Sequence, residues 1–225
     1  MANGRRTRER GTRELLLDTA ERLFGQDGLE GVSLSRITRE AGQRNASALH
    51  YHFGSKTDLL KALLARRMEG INARRHAMLE LVDESDRTSA LRRVAEALVI
   101  PFAEQVDQGG RHYVRLVAQL HGDPRTRTFR LTRGVHDSAI RETAELVPRL
   151  LPDIPREIVR QRLLLVTSLI IHAVAEQERS MAEGSPRTVM PLFVGNLVDV
   201  IQAMLLAPVS SASATELAAL QKVSA

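Results

Sequence analysis

Apolar residues recur at helical period in almost every segment of this chain, and the sustained alternation that marks a strand is nearly absent. The pattern predicts an all-α protein. A first helix is expected over 8–26, with Leu15, Leu16, Thr19, Ala20, Leu23 and Phe24 as its inner stripe and Asp27-Gly28 as its end. Ser33 is placed to N-cap a short second helix, whose Leu34, Ile37 and Ala41 face inward and which Gly42 stops. A third helix starts near Asn45 and ends at Phe53-Gly54. Ser55-Lys56-Thr57-Asp58 reads as a capping box, with Asp in place of the usual Glu or Gln, and opens a long fourth helix reaching Val82. Further helices are expected at 88–107, 111–121, 134–151, 156–182 and 188–206. Gly109-Gly110, Asp123-Pro124, Pro152 with Pro155, and Gly184-Ser185-Pro186 separate them. Pro101 predicts a kink inside the fifth helix. The Ser- and Ala-rich stretch 208–225 reads as a loosely held, mobile tail.

Composition narrows the function classes. A chain of 225 residues allows one larger domain, or one small and one medium domain. Aromatics are only 3%, so Leu, Val, Ile and Ala must build the core. The absence of cysteine excludes disulfides, thiolate metal sites and cysteine nucleophiles, and it fits a cytoplasmic location. Net charge is +5, concentrated early: Arg5, Arg6, Arg8, Arg10 and Arg13 stand against a single Glu9. Such an arm is either a solvated tail or a phosphate-binding segment. No apolar stretch of secretory length follows it. The most apolar run, 163–175, falls short of the roughly 20 residues that span a bilayer, so it reads as a buried helix and no membrane partner is expected. No phosphate loop, nucleophile elbow or metal spacing occurs, so neither catalysis nor a cofactor is expected.

Residues 33–53 carry the chemistry. Two short helices around the Gly42 turn make a helix-turn-helix, whose second helix fits the DNA major groove. Ala46, Leu49 and Phe53 share the inward face, which leaves Arg44, Ser47, Ala48, His50 and Tyr51 outward. Arg can hold guanine through two hydrogen bonds, and Ala can touch a thymine methyl. Tyr51 and Lys56 are placed for phosphates, beside the positive end of the fourth helix. Arg8, Ser33, Gln43, Asn45 and His52 complete the expected DNA-facing set. The competing reading is a helix pair that only packs.

These residues also carry a resemblance. Leu17-Asp18-Thr19-Ala20-Glu21-Arg22-Leu23-Phe24, Gly28, Val32-Ser33-Leu34, Ile37, Ala41-Gly42, Leu49-His50-Tyr51-His52-Phe53-Gly54-Ser55-Lys56 and Leu59-Leu60 follow in the order and spacing of the TetR family of bacterial regulators. Residues 43–48 are one residue longer than the commonest family pattern, and His50 replaces a more usual Tyr. The resemblance implies a homodimeric, ligand-responsive regulator, a repressor released from a palindromic operator on double-stranded DNA when a small molecule binds. It also implies a C-terminal effector pocket and a four-helix interface from the last two long helices of each subunit.

The rest of the sequence is compatible. Val189, Phe193, Val194, Leu197, Val200, Ile201, Met204 and Leu205 make a wide apolar face, and Leu169 lies in the run 163–175, which is apolar on every side of its helix. Both fit a dimer interface or a monomer's own core. Phe102, Tyr113, Phe129, Val117, Leu120, His121 and His172 line an effector pocket on one reading and are core or surface residues on the other. The apolar surroundings suit an apolar or amphipathic effector. The expected organisation is a DNA-binding domain over 1–54, an effector and dimerisation domain over 55–207, and a tail over 208–225. Two other functions fit the same pattern: an architectural DNA binder without effector, and a helical enzyme or carrier that keeps the helix-turn-helix as scaffold.

Overall fold

The apolar stripes fold into ten α-helices in a computed structural model that describes residues 2–43, 47–122, 137–184 and 188–223. Side chains are described for 11–43, 49–110, 112–122, 137–184 and 188–222. There is no strand among the described residues. In chain order the helices are α1 (Ala2–Asp27), α2 (Leu34–Glu40), α3 (Ser47–Phe53), α4 (Lys56–Leu79), α5 (Arg87–Asp107), α6 (Arg111–Gly122), α7 (Ser138–Leu150), α8 (Arg156–Ala182), α9 (Met190–Leu206) and α10 (Ser211–Val223).

Two elements differ from expectation. α1 begins at Ala2, so the arginine-rich segment is the first part of a helix and not a separate arm. Its inner stripe is buried as expected at Leu16, Thr19, Ala20, Leu23 and Phe24, but Leu17 is fully buried while Leu15 is 45% exposed. The C-terminal stretch forms α10, which the Ser210 hydroxyl starts by accepting from the Ser213 N–H at 3.2 Å. Ala, Leu, Glu, Gln and Lys within it are all good helix formers, and its face stays largely exposed. α5 runs continuously past Pro101, and α7 likewise contains Pro148.

One apolar cluster runs through the whole protein, from Leu16 to Leu205. Near the N-terminus, Leu16, Leu17, Ala20, Leu23 and Phe24 of α1 form the core with Ile37, Leu49 and Phe53. On its other side α1 packs against α6, and α4 lies against α5. Farther on, α5 meets α9, and α6 meets α8.

Two features hold α1 in place. Glu21 is 4% exposed, and its carboxylate accepts from Arg66 Nη2 at 3.0 Å and from Arg67 Nε and Nη2 at 3.0 and 2.7 Å. Arg66 also reaches Asp18 at 2.7 Å and Glu14 at 3.2 Å, which raises the guanidinium pKa against the opposing effect of burial. The second is Gly25, where α1 crosses α6 so closely that a Cβ would sit 2.5 Å from the His112 carbonyl oxygen.

Gly25→Ala therefore gains about 1 kcal/mol of helix propensity but must push two backbones apart. A net destabilisation of about 1–3 kcal/mol is expected in urea unfolding. Gly70→Ala, where nothing lies within 4 Å, is the matched control and should stabilise by up to about 1 kcal/mol.

Candidate nucleic-acid interface

The helix-turn-helix is built from its caps inward. Ser33 caps α2, accepting from the Arg36 N–H at 3.2 Å. α2 ends in a Schellman motif: Gly42, with φ of 66°, donates to Arg39 O, and Gln43 N–H donates to Thr38 O. Glycine takes this left-handed conformation without the Cβ penalty. Salt bridges fix the angle of α2 on α1. Arg22 reaches Glu40 at 2.7 Å, and Arg36 reaches Asp27 at 2.6 Å and Glu40 at 2.9 Å. Arg22 first, then Arg36, holds the Glu40 carboxyl below the usual carboxylate range. The i,i+4 pair Arg36–Glu40 is visible in the sequence, but Arg22 and Asp27 are joined to α2 only by the fold.

α3 has two faces. Leu49 and Phe53 point into the core, and the Arg13 guanidinium lies over the Phe53 ring, 5.2 Å from its centroid. Tyr51 points the other way and is 76% exposed. Its ring meets that of half-buried His52 edge-on at 5.2 Å. His50 is exposed, and its Nδ1 lies 2.8 Å from the Gly54 carbonyl oxygen. That geometry calls for a donating Nδ1–H, so the ring tethers the end of α3 and presents its Nε2 edge to solvent.

The capping box takes a variant form. Ser55 Oγ accepts from the Asp58 N–H at 3.1 Å and donates to Asp58 Oδ2 at 2.6 Å. The shorter Asp thus returns to the serine hydroxyl itself. Lys56 points inward from the expected phosphate position: its Nζ donates to Leu29 O at 2.5 Å and lies over the Phe24 ring. It pins the 28–32 turn beneath α4.

The remaining predicted DNA contacts divide cleanly. Gln43 turns its side-chain amide to Ala41 O at 3.3 Å. Ser47 and Ala48 lie on α3 and Arg8 on α1, while Arg44 and Asn45 lie outside the described residues. Arg13, read in the sequence as part of the basic segment, lies over the Phe53 ring.

The effector candidates do not converge. Phe102, Tyr113, Val117 and Leu120 are packed in the core, with the Phe102 and Tyr113 rings 6.3 Å apart. Phe129 lies outside the described residues. His172 is exposed on α8, where its ring meets His121, and His121 Nε2 lies 2.9 Å from Ser168 Oγ. Arg115 pairs with the buried Glu178 of α8. A cleft of about 460 Å³ lies between α4 and α5, lined by Arg66, Arg67, Gly70, Ile71, Arg74, Pro101, Glu104, Gln105 and Gln108. A second, of about 220 Å³, includes Val106, Glu178 and Met181. Neither includes the predicted pocket residues.

The expected interface residues also separate. Leu197 and Ile201 are 5% and 0% exposed, turned into the chain's own core. Val189 and Val200 are exposed, while Leu169, Phe193 and Met204 are half-buried. Leu164, Leu165 and Leu192 are exposed beside them and were absent from the sequence assignment.

Known proteins place this architecture. The family model "Bacterial regulatory proteins, tetR family" matches residues 16–63, and "Tetracyclin repressor-like, C-terminal domain" matches 96–204. The HTH-type transcriptional regulator BetI of Rhizobium meliloti (strain 1021) is 39% identical over 87 residues. That match covers 37% of this chain and only 41% of the length of BetI. A tetR family transcription regulator structure from Shewanella sp. PV-4 aligns with a TM-score of 0.59 at 17% identity, covering 85% of this chain and 96% of its own. AibR, solved in complex with isovaleryl coenzyme A and operator DNA, aligns with a TM-score of 0.57 at 17% identity, over 88% and 100% of the two chains. The structural matches share the fold.

Because Ser55 supplies both halves of the link to Asp58, Ser55→Ala should cost about 1 kcal/mol in chemical denaturation. Ser55→Asn, which can still accept from the N–H, should recover most of that loss.

Proposed function

The chain belongs to the TetR family of bacterial regulatory proteins, and from that premise we propose that it is a ligand-responsive DNA-binding regulator, a repressor that leaves its operator when a small molecule binds the helical part. The observation that carries this reading is α3, a short helix locked by Leu49 and Phe53 on one face and open at Tyr51 on the other. Among the described residues, no hydrogen bond engages the Tyr51 side chain, which is 76% exposed. Tyr51 lies five residues ahead of α4, whose N-terminal backbone N–H groups and dipole favour a phosphate. Arg8, Ser33, Gln43, Arg44, Asn45, Ser47 and Ala48 are the further residues proposed to contact DNA, with exposed His50 and with His52, whose ring meets that of Tyr51. Lys56 acts beneath this surface, through the 28–32 turn. The DNA-binding unit comprises residues 1–54, the effector and dimerisation unit 55–207, and α10 lies in the terminal segment 208–225.

Dimerisation follows from α8 and α9. Leu164 and Leu165 on α8, and Val189, Leu192 and Val200 at α9, form exposed apolar surface that a second copy would cover. α8 is long and apolar enough to cross a membrane by length and composition, with 33% of that window buried. Buried Glu178, paired with Arg115, and Arg162, which donates to Leu205 O at 2.7 Å, fit a helix seated on α6 and α9 better than one in lipid. A two-fold dimer would set two α3 helices about 34–36 Å apart, one turn of DNA. The effector acts by binding the DNA-competent and released states unequally. The AibR complex with isovaleryl coenzyme A and operator DNA supports that pairing. The same reading places the protein in the cytoplasm as a regulator without catalytic activity.

Fluorescence anisotropy with DNA from upstream of the protein's own gene tests the reading. Site-selective binding that weakens steeply with salt is expected, and its absence would falsify the proposal. Tyr51→Ala should weaken operator binding about tenfold, or ~1.4 kcal/mol, without changing the melting temperature. Leu165→Glu should turn the dimer into a monomer in light scattering and abolish operator binding with it.

A further inference from the structure

Among the described residues, Arg75 has no acidic partner. It lies on α4, 7% exposed, and Nη2 donates to Leu98 O of α5 at 3.3 Å. Its Nε is buried with no hydrogen-bond partner, and no ion pair to Arg75 exists among the described residues. Tyr113 of α6, fully buried and kept neutral by burial, offers it no counter-charge. Glu21, the carboxylate that acts on Tyr113, is already taken by Arg66 and Arg67. Burial pulls the Arg75 guanidinium down to about 10, so it remains a cation at neutral pH.

A buried cation without a counter-charge is expensive, and proteins keep one where something else supplies the charge. Other arginines of α4, Arg66, Arg67 and Arg74, each have an acidic neighbour. Arg75 alone of these four is both deeply buried and unpaired. An open cleft lies along the same seam. The α4–α5 cleft reaches Ile71, one turn before Arg75, and Pro101, one turn after Leu98.

We propose that Arg75 anchors the carboxylate of an amphipathic effector that enters along the α4–α5 seam and buries its apolar part near Leu98, Phe102 and Tyr113. This inference rests on the effector-responsive reading above and specifies the ligand class. A carboxylate fits the planar guanidinium fork through two parallel hydrogen bonds. Its single charge balances Arg75, whereas a phosphate dianion would leave an uncompensated negative charge in an apolar interior. Tyr113, whose hydroxyl burial keeps protonated, can donate a further hydrogen bond. The anchor sits on the helix whose first turn caps against α3. A ligand pulling on Arg75 thus acts directly on the element that positions the DNA-facing surface.

Calorimetry on the full chain with decanoate, 1-decanol and decyl phosphate tests this, with operator affinity measured in parallel. Decanoate should bind at least tenfold more tightly than either analogue. Arg75→Met should lose that preference, and its melting temperature without ligand should equal or exceed wild type, since no paired charge is broken. Arg75→Lys, with the charge but not the fork, should fall between them. A marked drop in the melting temperature of Arg75→Met would assign Arg75 a structural role and overturn the proposal. So would the absence of binding by any straight-chain carboxylate from butanoate to hexadecanoate. Equal release of operator by decanoate and decanol would sink the anchor and keep the effector-responsive reading. Decanoate held through Arg75 with unchanged operator affinity would keep the anchor and sink that reading.

Discussion

The Glu21 carboxylate, buried and gripped by Arg66 and Arg67, is the constraint from which the arrangement of the two halves follows. A carboxylate at 4% exposure is tolerable only with its oxygens satisfied, and both partners come from the middle of α4. That requirement sets the lateral position of α4 on α1. Gly25 sets the other side, because α1 and α6 approach until there is room for nothing larger than hydrogen. α1 is thereby shared. It is the base of the helix-turn-helix and, at the same time, a packed element of the larger helical body.

α4 is held at three heights. Its first turn is capped at Ser55, directly after α3. Its middle is bound to Glu21. Near its end, His76 Nδ1 lies 2.6 Å from Glu142 Oε2 and Nε2 lies 2.9 Å from Ser138 Oγ, both on α7. A helix tied at both ends and the middle does not bend freely, so rearrangement around α5 and α7 reaches α3 as rigid motion. That makes α4 the physical element through which the helical body and the DNA-facing surface can communicate.

Much of this was legible in the sequence because local rules decide it. Gly42 as the end of α2, Ser33 and Ser55 as caps, and Leu49 with Phe53 as the inward face of α3 all depend on neighbours within one or two turns. α8 was read over 156–182, matching its observed span. What failed depends on partners far away in the chain. Leu15 and Leu17 fit the helical stripe equally well, and only the position of α4 and α6 decides which is inside. Leu197 and Ile201 belong to an apolar face that wraps around α9, and periodicity cannot say which part of it meets α5. Lys56 looked like a phosphate ligand because the carbonyl it bonds, Leu29, is 27 residues away. Arg75 is one arginine among many, and its isolation exists only once α4, α5 and α6 have assembled around it. The exposed face of α10 escaped a composition-based reading, since Ser and Ala suit a tail and a helix alike.

α3 divides its labour by face. Its seven residues are too few to stay helical alone, so Leu49, Phe53 and the His50 tether to Gly54 do the folding. Tyr51 takes no share in that work. Selection can therefore rewrite the outward residues of this helix almost freely, because changing what the surface recognises costs the protein little of what keeps it folded. A new operator can be acquired by drift at the rim while the scaffold beneath stays as it was.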